Sequence, residues 1–143
     1  YRFQVIYTPG HSPDHICLYE EIHGWLFTGD LFVGGRERAA RVDVKIWQTI
    51  ASLKQVVKLP LTRLFPGAAR VRGNPIAELA DKIVYLEETG KKVLELRKQG
   101  LSNHSIAHLL LGGPMPIEYI TSGHFTRRSL VASYLAGNRL QLG

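Results

Sequence analysis

Apolar and polar positions alternate from Phe3 to Tyr7, and two further short apolar runs follow, Ile16 to Tyr19 and Trp25 to Thr28. A period of two marks a half-buried strand, and Glu20-Glu21-Ile22-His23-Gly24 joins the second and third runs as a hairpin. The period then changes. After a loop from Leu31 to Arg41 that holds Gly34-Gly35 and three arginines, Ile46, Ile50, Leu53 and Val57 take the spacing of one helix face. The spacing predicts a helix that begins near Asp43 and is ended by Pro60. Arg63-Leu64-Phe65 then reads as a short strand that delivers Pro66-Gly67 to a turn.

Beyond residue 73 the pattern is helical. Asn74-Pro75 is a helix start, with Asn as the cap and Pro at the first helical position, where its missing N–H costs nothing. Ile76, Leu79, Ile83, Leu86, Val93 and Leu96 continue one stripe, and Gly90 within it is expected to bend or divide the helix. Leu101-Ser102 caps a third helix that runs to Leu111, Gly112-Gly113-Pro114 breaks it, and Arg127 to Leu135 predicts a fourth. Two regions are therefore expected, 1–73 and 74–143, the first built of strands and one helix, the second of helices with a loosely helix-turn-helix-like tail. That order gives an α+β class.

A chain of 143 residues with 45% apolar content can build a core. No apolar run approaches the roughly twenty residues of a membrane span, so no membrane partner is expected. A chain that opens inside a strand without a preceding methionine reads as a fragment. The single cysteine, Cys17, excludes an internal disulfide framework and fits a cytoplasmic setting. The net charge of +6 is local: residues 36 to 72 carry nine basic groups against two acidic. That belt either borders a site and attracts an anion or is a solvated face.

The stretch Thr8-Pro9-Gly10-His11-Ser12-Pro13-Asp14-His15, followed by Phe27-Thr28-Gly29-Asp30 and by Leu64-Phe65-Pro66-Gly67, carries the chemistry. Read alone, His11 is a histidine in a proline-stiffened turn and Asp30 an aspartate able to bond its own turn. Together the three segments resemble the second half of the metallo-β-lactamase superfamily, over roughly residues 3 to 70. The resemblance implies half of an αββα metallo-β-lactamase-like sandwich followed by a small helical C-terminal region. Some relatives of that fold, including a group that cleaves RNA, carry a winged-helix-like tail at this place.

What the resemblance implies for the site is specific. His11 completes a three-histidine metal position whose other two members are absent here, Asp30 bridges two metals, and His15 steadies the loop by hydrogen bonding. The residue after Pro66-Gly67, a histidine in the family, is Ala68, and a methyl group coordinates nothing. A hydrolytic zinc usually takes three protein ligands and an open water position, so one zinc ion is expected only in a completed fold, or none. Arg70 and Arg72 are candidates to present charge to a substrate. His104 and His108, four apart on a helix, lack the Glu of a protease signature; His23 and His124 carry no assigned role.

Two function classes follow. One is a metal-dependent hydrolase with a degenerate site, active only when an N-terminal half completes it; the other is a non-catalytic module that binds nucleic acid or protein. A lone half of a two-sheet fold leaves its inner sheet face apolar and in water, so a covering partner is expected, either the missing N-terminal half or a second copy of the chain as a homodimer.

Overall fold

The computed structural model describes residues 1–141. Strands β1 (Gln4–Tyr7), β2 (Ile16–Glu20) and β3 (Trp25–Gly29) form an antiparallel meander, and β5 (Arg63–Pro66) pairs in parallel with β3 to give the order β1-β2-β3-β5. The parallel pairing needs a crossover, and α1 (Ile46–Val56) provides it. A second sheet consists of two short strands far apart in sequence, β4 (Ala40–Arg41) and β6 (Phe125–Thr126). The remaining elements are α2 (Pro75–Lys98), α3 (Asn103–Leu111), α4 (Pro116–Ile120) and α5 (Arg127–Gln141).

The alternation of the strands sorts their side chains onto two faces. Ile6, Cys17, Tyr19, Leu26 and Leu64 point to one side and join Ile50 and Leu53 of α1 and Leu79, Ile83 and Leu86 of α2 in one buried cluster. The other side carries no helix. There Val5 and Tyr7 are 61% and 59% exposed, and an aromatic ladder runs across the strands: His23 stacks on Trp25 at 4.5 Å, Trp25 meets Phe65 edge-on at 5.6 Å, Phe65 stacks on Phe27 at 4.5 Å, and Phe27 meets Phe3 at 5.6 Å. The architecture is one sheet with helices on a single side, in keeping with the half of an αββα sandwich that the resemblance implies.

The core is continuous into the helical region. Val93 of α2, Ile106 and Leu111 of α3, and Leu130, Val131 and Tyr134 of α5 belong to the same cluster. Tyr134 donates to the Leu86 carbonyl at 2.8 Å, and Trp47 Nε1 donates to the Tyr134 carbonyl at 2.9 Å.

Three local expectations are corrected. Helix α1 starts at Ile46 rather than near Asp43, because the Asp43 carboxylate accepts from Arg41 Nε and Nη2, at 3.0 and 2.7 Å, instead of capping a helix. The same helix ends at Val56, before Pro60 is reached. Helix α2 runs unbroken through Gly90. Glycine is there for space: a Cβ at that point would stand 2.8 Å from Trp47 Cη2 and 2.9 Å from Tyr134 Cε1. The start of α3 agrees with its expectation, Ser102 Oγ accepting from the Ser105 N–H.

Burial raises the Cys17 thiol to about 11. Two outcomes follow from this packing. Gly90→Val is expected to cost about 1–3 kcal/mol in a urea titration while the far-ultraviolet helix signal is kept; an unchanged midpoint would mean that α1, α2 and α5 do not meet there. Cys17 should resist iodoacetamide at pH 8 in the folded protein and react on unfolding, which intact-mass spectrometry reads directly.

Candidate functional site

The loop between β1 and β2 is fixed at several points along its length. Thr8 N–H donates to the His15 carbonyl at 2.9 Å, Tyr7 Oη donates to the Pro13 carbonyl at 2.6 Å, and Ser52 Oγ of α1 donates to the Pro9 carbonyl at 2.8 Å. The Lys45 N–H donates to the Gly10 carbonyl at 2.8 Å. Gly10 has φ +138°, and a Cβ on it would lie 2.3 Å from Thr49 Oγ1. Only glycine lets the loop rest on α1 so closely. His11 is thus presented by a rigid support.

Asp30 follows directly on β3. The turn after the strand closes when Leu31 N–H donates to the Thr28 carbonyl at 3.0 Å and Thr28 Oγ1 donates to the Phe32 carbonyl at 3.0 Å. The two loops meet: His11 Nε2 lies 3.5 Å from Asp30 Oδ2, with the histidine mostly covered and the aspartate more than half exposed. Position 68 comes to the same edge, because Gly67 N–H donates to the Gly29 carbonyl at 3.1 Å, one residue before Ala68 and one before Asp30.

His15 stands behind this pair. Its Nδ1 bonds the Thr8 carbonyl at 3.1 Å and Thr8 Oγ1 at 2.9 Å, and its ring centroid is 6.2 Å from that of His11. Its pKa is lowered, first by burial and then by the charge of His11; the Thr8 bond and Asp30 oppose the shift. Thr8 Oγ1 also donates to Cys17 Sγ at 3.4 Å, and Cys17 Sγ donates to the Thr28 carbonyl at 3.7 Å, so a buried polar chain joins the His11 loop to the Asp30 turn.

The basic belt is largely engaged elsewhere. Arg38 donates from Nε and Nη2 to the Leu111 carbonyl at 2.9 and 2.6 Å, Lys54 pairs with Glu87, and Arg36 lies over the Tyr85 ring at 5.4 Å. Arg72 pairs with Glu78 at 3.5 Å and Arg70 is exposed. His104 and His108 are exposed on α3, and His23 pairs with the buried Glu20. Arg41 is the arginine of the belt that lines the cleft beside His11 and Asp30.

That cleft also has lining residues that no sequence motif marks, Asp43 and His124 among them. Asp43 lies close enough to feel the His11 charge, and its pKa is lowered mainly by the hydrogen bond from Arg41. Its only signal in sequence was polarity before a helix, and His124 becomes a neighbour only through the β4–β6 pairing. As for a metal, two donors converge, but no group of three or more His, Cys, Asp or Glu side chains able to hold an ion occurs among the described residues. The donors of this chain alone therefore do not fit a hydrolytic zinc.

Comparison with known proteins places this geometry. Residues 2–68 match the model of the metallo-beta-lactamase superfamily. A beta-lactamase-like protein 2 homolog of Drosophila melanogaster is 28% identical over 92 residues, 64% of this chain and 30% of that protein. A hydroxyacylglutathione hydrolase of Legionella pneumophila is 42% identical over 66 residues, 45% of this chain and 25% of that protein. Among solved structures, a metallo-beta-lactamase family protein from Thermus thermophilus superposes with a TM-score of 0.66 at 17% identity, over 97% of this chain and 44% of the other. The likeness in fold thus extends through the helical region. The chain spans less than two fifths of the length of these curated relatives, between 25% and 38% of three of them.

The lowered pKa of His15 fixes a sign. Its neutral form is favoured by folding, so its contribution to stability is present above the free-histidine value of about 6.5 and is lost as pH falls through its folded midpoint. In the metal-free protein the His15 ring is expected to titrate below 6.5 by NMR, and lower still in Asp30→Asn. A midpoint at or above 6.5 would contradict the packing described.

Proposed function

We propose, on the premise that this chain belongs to the metallo-β-lactamase superfamily, that it supplies one half of a hydrolase-like protein whose metal site has lost a ligand. The observation that supports this reading is the meeting of His11 and Asp30 at 3.5 Å, with Ala68 brought to the same edge by backbone contacts alone. Two donors in place and a methyl where a third is expected describe a one-metal site rather than a two-metal one. The remaining ligands come from residues outside this chain, with zinc as the ion and the cytoplasm as the setting.

The covering partner belongs to the same reading. The aromatic ladder of Trp25, Phe65, Phe27 and Phe3 groups apolar rings on a face that no helix covers, as the inner face of one sheet of a sandwich would. The preceding half of the fold covers it, its sheet packing against this one, and a second copy of the chain is the competing cover. Among the described residues no helix is long and apolar enough to cross a membrane.

Elemental analysis of the protein in its full encoded length tests the metal reading. One equivalent of zinc is expected in the wild type, little in His11→Ala, and more than one in Ala68→His. Two equivalents in the wild type would refute a degenerate site, and none in any variant would favour a module that only binds protein or nucleic acid. For the covered face, Phe27→Glu should cost at least about 2 kcal/mol in the full-length protein, since it places a charge between sheets. Unchanged stability would mean that no sheet lies on it, and loss of a dimer by sedimentation would assign the cover to a second copy.

A further inference from the structure

The end of α3 is fixed from two sides. Arg38 donates from Nε and Nη2 to the Leu111 carbonyl at 2.9 and 2.6 Å, and Arg127 Nη1 donates to the Gly112 carbonyl. The next residue is free by contrast: a Cβ on Gly113 would meet nothing within 4 Å. Residues 114–125 then form a body of their own. Gly123 N–H donates to the Glu118 carbonyl at 2.9 Å, His124 N–H to the Thr121 carbonyl at 3.0 Å, and Phe125 N–H to Thr121 Oγ1 at 3.1 Å. The turn that these bonds close needs two consecutive left-handed residues, Ser122 at φ +49° and Gly123 at φ +81°. Thr126 belongs to the other side, because its Oγ1 accepts from the Ser129 N–H at 2.9 Å in the first turn of α5.

Little apolar surface fastens this body to the rest of the protein. No residue of α4 is buried, and Ile117, Tyr119 and Ile120 are 38%, 74% and 79% exposed. Its ties among the described residues are mainly polar: Phe125 pairs with Arg41 across β4 and β6, and Glu118 Oε1 accepts from Arg127 Nε at 2.6 Å and from the Arg127 N–H at 3.5 Å. The ion pair is nearly dry, with the two side chains 6% and 17% exposed, and the carboxylate stands at the positive end of the α5 dipole. Segments with few buried apolar contacts open at a small fraction of the global unfolding free energy. When Glu118 leaves, Arg127 keeps the Gly112 carbonyl and meets water, so neither charge is stranded in an apolar interior.

We infer that residues 113–125 form a hinged strap that opens as one unit, pivoting at Gly113 and Thr126, with Glu118 as its catch on Arg127. Opening unpairs Phe125 from Arg41, so the segment that ties Asp30 to the helical region loses one of its supports. Helices α2 and α3 and the body of α5 stay folded throughout. The strap opens whether or not a metal sits at His11 and Asp30.

Hydrogen exchange of single amides in the full-length protein, read by NMR at several low urea concentrations, tests this. The amides of Thr121, Gly123, His124 and Phe125 are expected to share one opening free energy that hardly changes with urea, because a strap exposes little surface. Those of Leu86 and Val131 should follow global unfolding with its full urea slope. Glu118→Gln keeps the shape and removes the charge, and should raise exchange at all the strap sites together by about tenfold. Gly113→Ala narrows the hinge and should lower it by about twofold to fivefold. With open space at its Cβ and a backbone outside the left-handed region, that second variant does not endanger the fold. A urea slope at the strap sites equal to that of Val131 would overturn the inference, since they would then open only with the whole protein. So would a Glu118→Gln change confined to a single site, which is fraying of a turn, or no change in either variant.

Discussion

A sheet has two faces, and the strands of this chain make both of them apolar. On one side Cys17, Leu26 and Leu64 are fully buried beneath helices; on the other, Trp25, Phe27 and Phe65 pack on one another with no helix over them. Aromatic side chains bury more area than any others and contribute most when fully covered. A surface that groups them in contact is unlike that of a monomeric domain with one wet face, where polar residues alternate outward. Much else follows from this asymmetry: all three long helices share the one covered side, and the loops that carry His11, Asp30 and Ala68 gather at one edge of the sheet.

The segment from Leu31 to Lys45 ties that edge to the helical region. It has only two residues of strand, yet it is tied to three helices: Lys82 and Tyr85 of α2 bind Glu37, Ser133 of α5 bridges Val44 and Ile46, and Arg38 donates to the Leu111 carbonyl at the end of α3. These contacts span 45 to 89 residues of sequence. A loop of this length without regular structure is ordinarily mobile; here its buried carbonyls find fixed donors, which is the accounting a packed loop must satisfy. The helical region is therefore part of the architecture of the site, since it shapes the segment that stands beside Asp30.

Much of the fold was legible because it depends on local period. Strand alternation located β1, β2, β3 and β5, and Asn74-Pro75 and Ser102 marked the starts of α2 and α3 where the structure has them. What the sequence could not reveal depends on contacts across the chain. Gly90 looks like a helix breaker in one dimension and is a contact point for Trp47 and Tyr134 in three. Strands β4 and β6, two residues each, carry no period at all. In the site, the approach of His11 to Asp30 was legible through the resemblance to a known superfamily, but the arrival of Asp43 and His124 was not. The basic belt was misleading as a sum, because Arg38, Lys54 and Arg72 each find a separate partner.

The geometry at Ala68 shows how little the fold depends on the side chain at that position. The strand that leads to it is held by the parallel β3–β5 pairing, Leu26 opposite Leu64 and Phe27 opposite Phe65, and the turn by the bond from Gly67 N–H to the Gly29 carbonyl. These are main-chain contacts or contacts between apolar side chains, and none involves the side chain at position 68, which is exposed. Replacing a donor there by a methyl costs the fold almost nothing, so stability offers little resistance to the loss of a ligand. His11 differs. Its loop is shaped by Gly10 pressed on Thr49, and its ring lies between His15 and Asp30. Fold and chemistry are thus separable at one position and joined at the other, which is why a likeness in architecture leaves the reaction to be decided residue by residue.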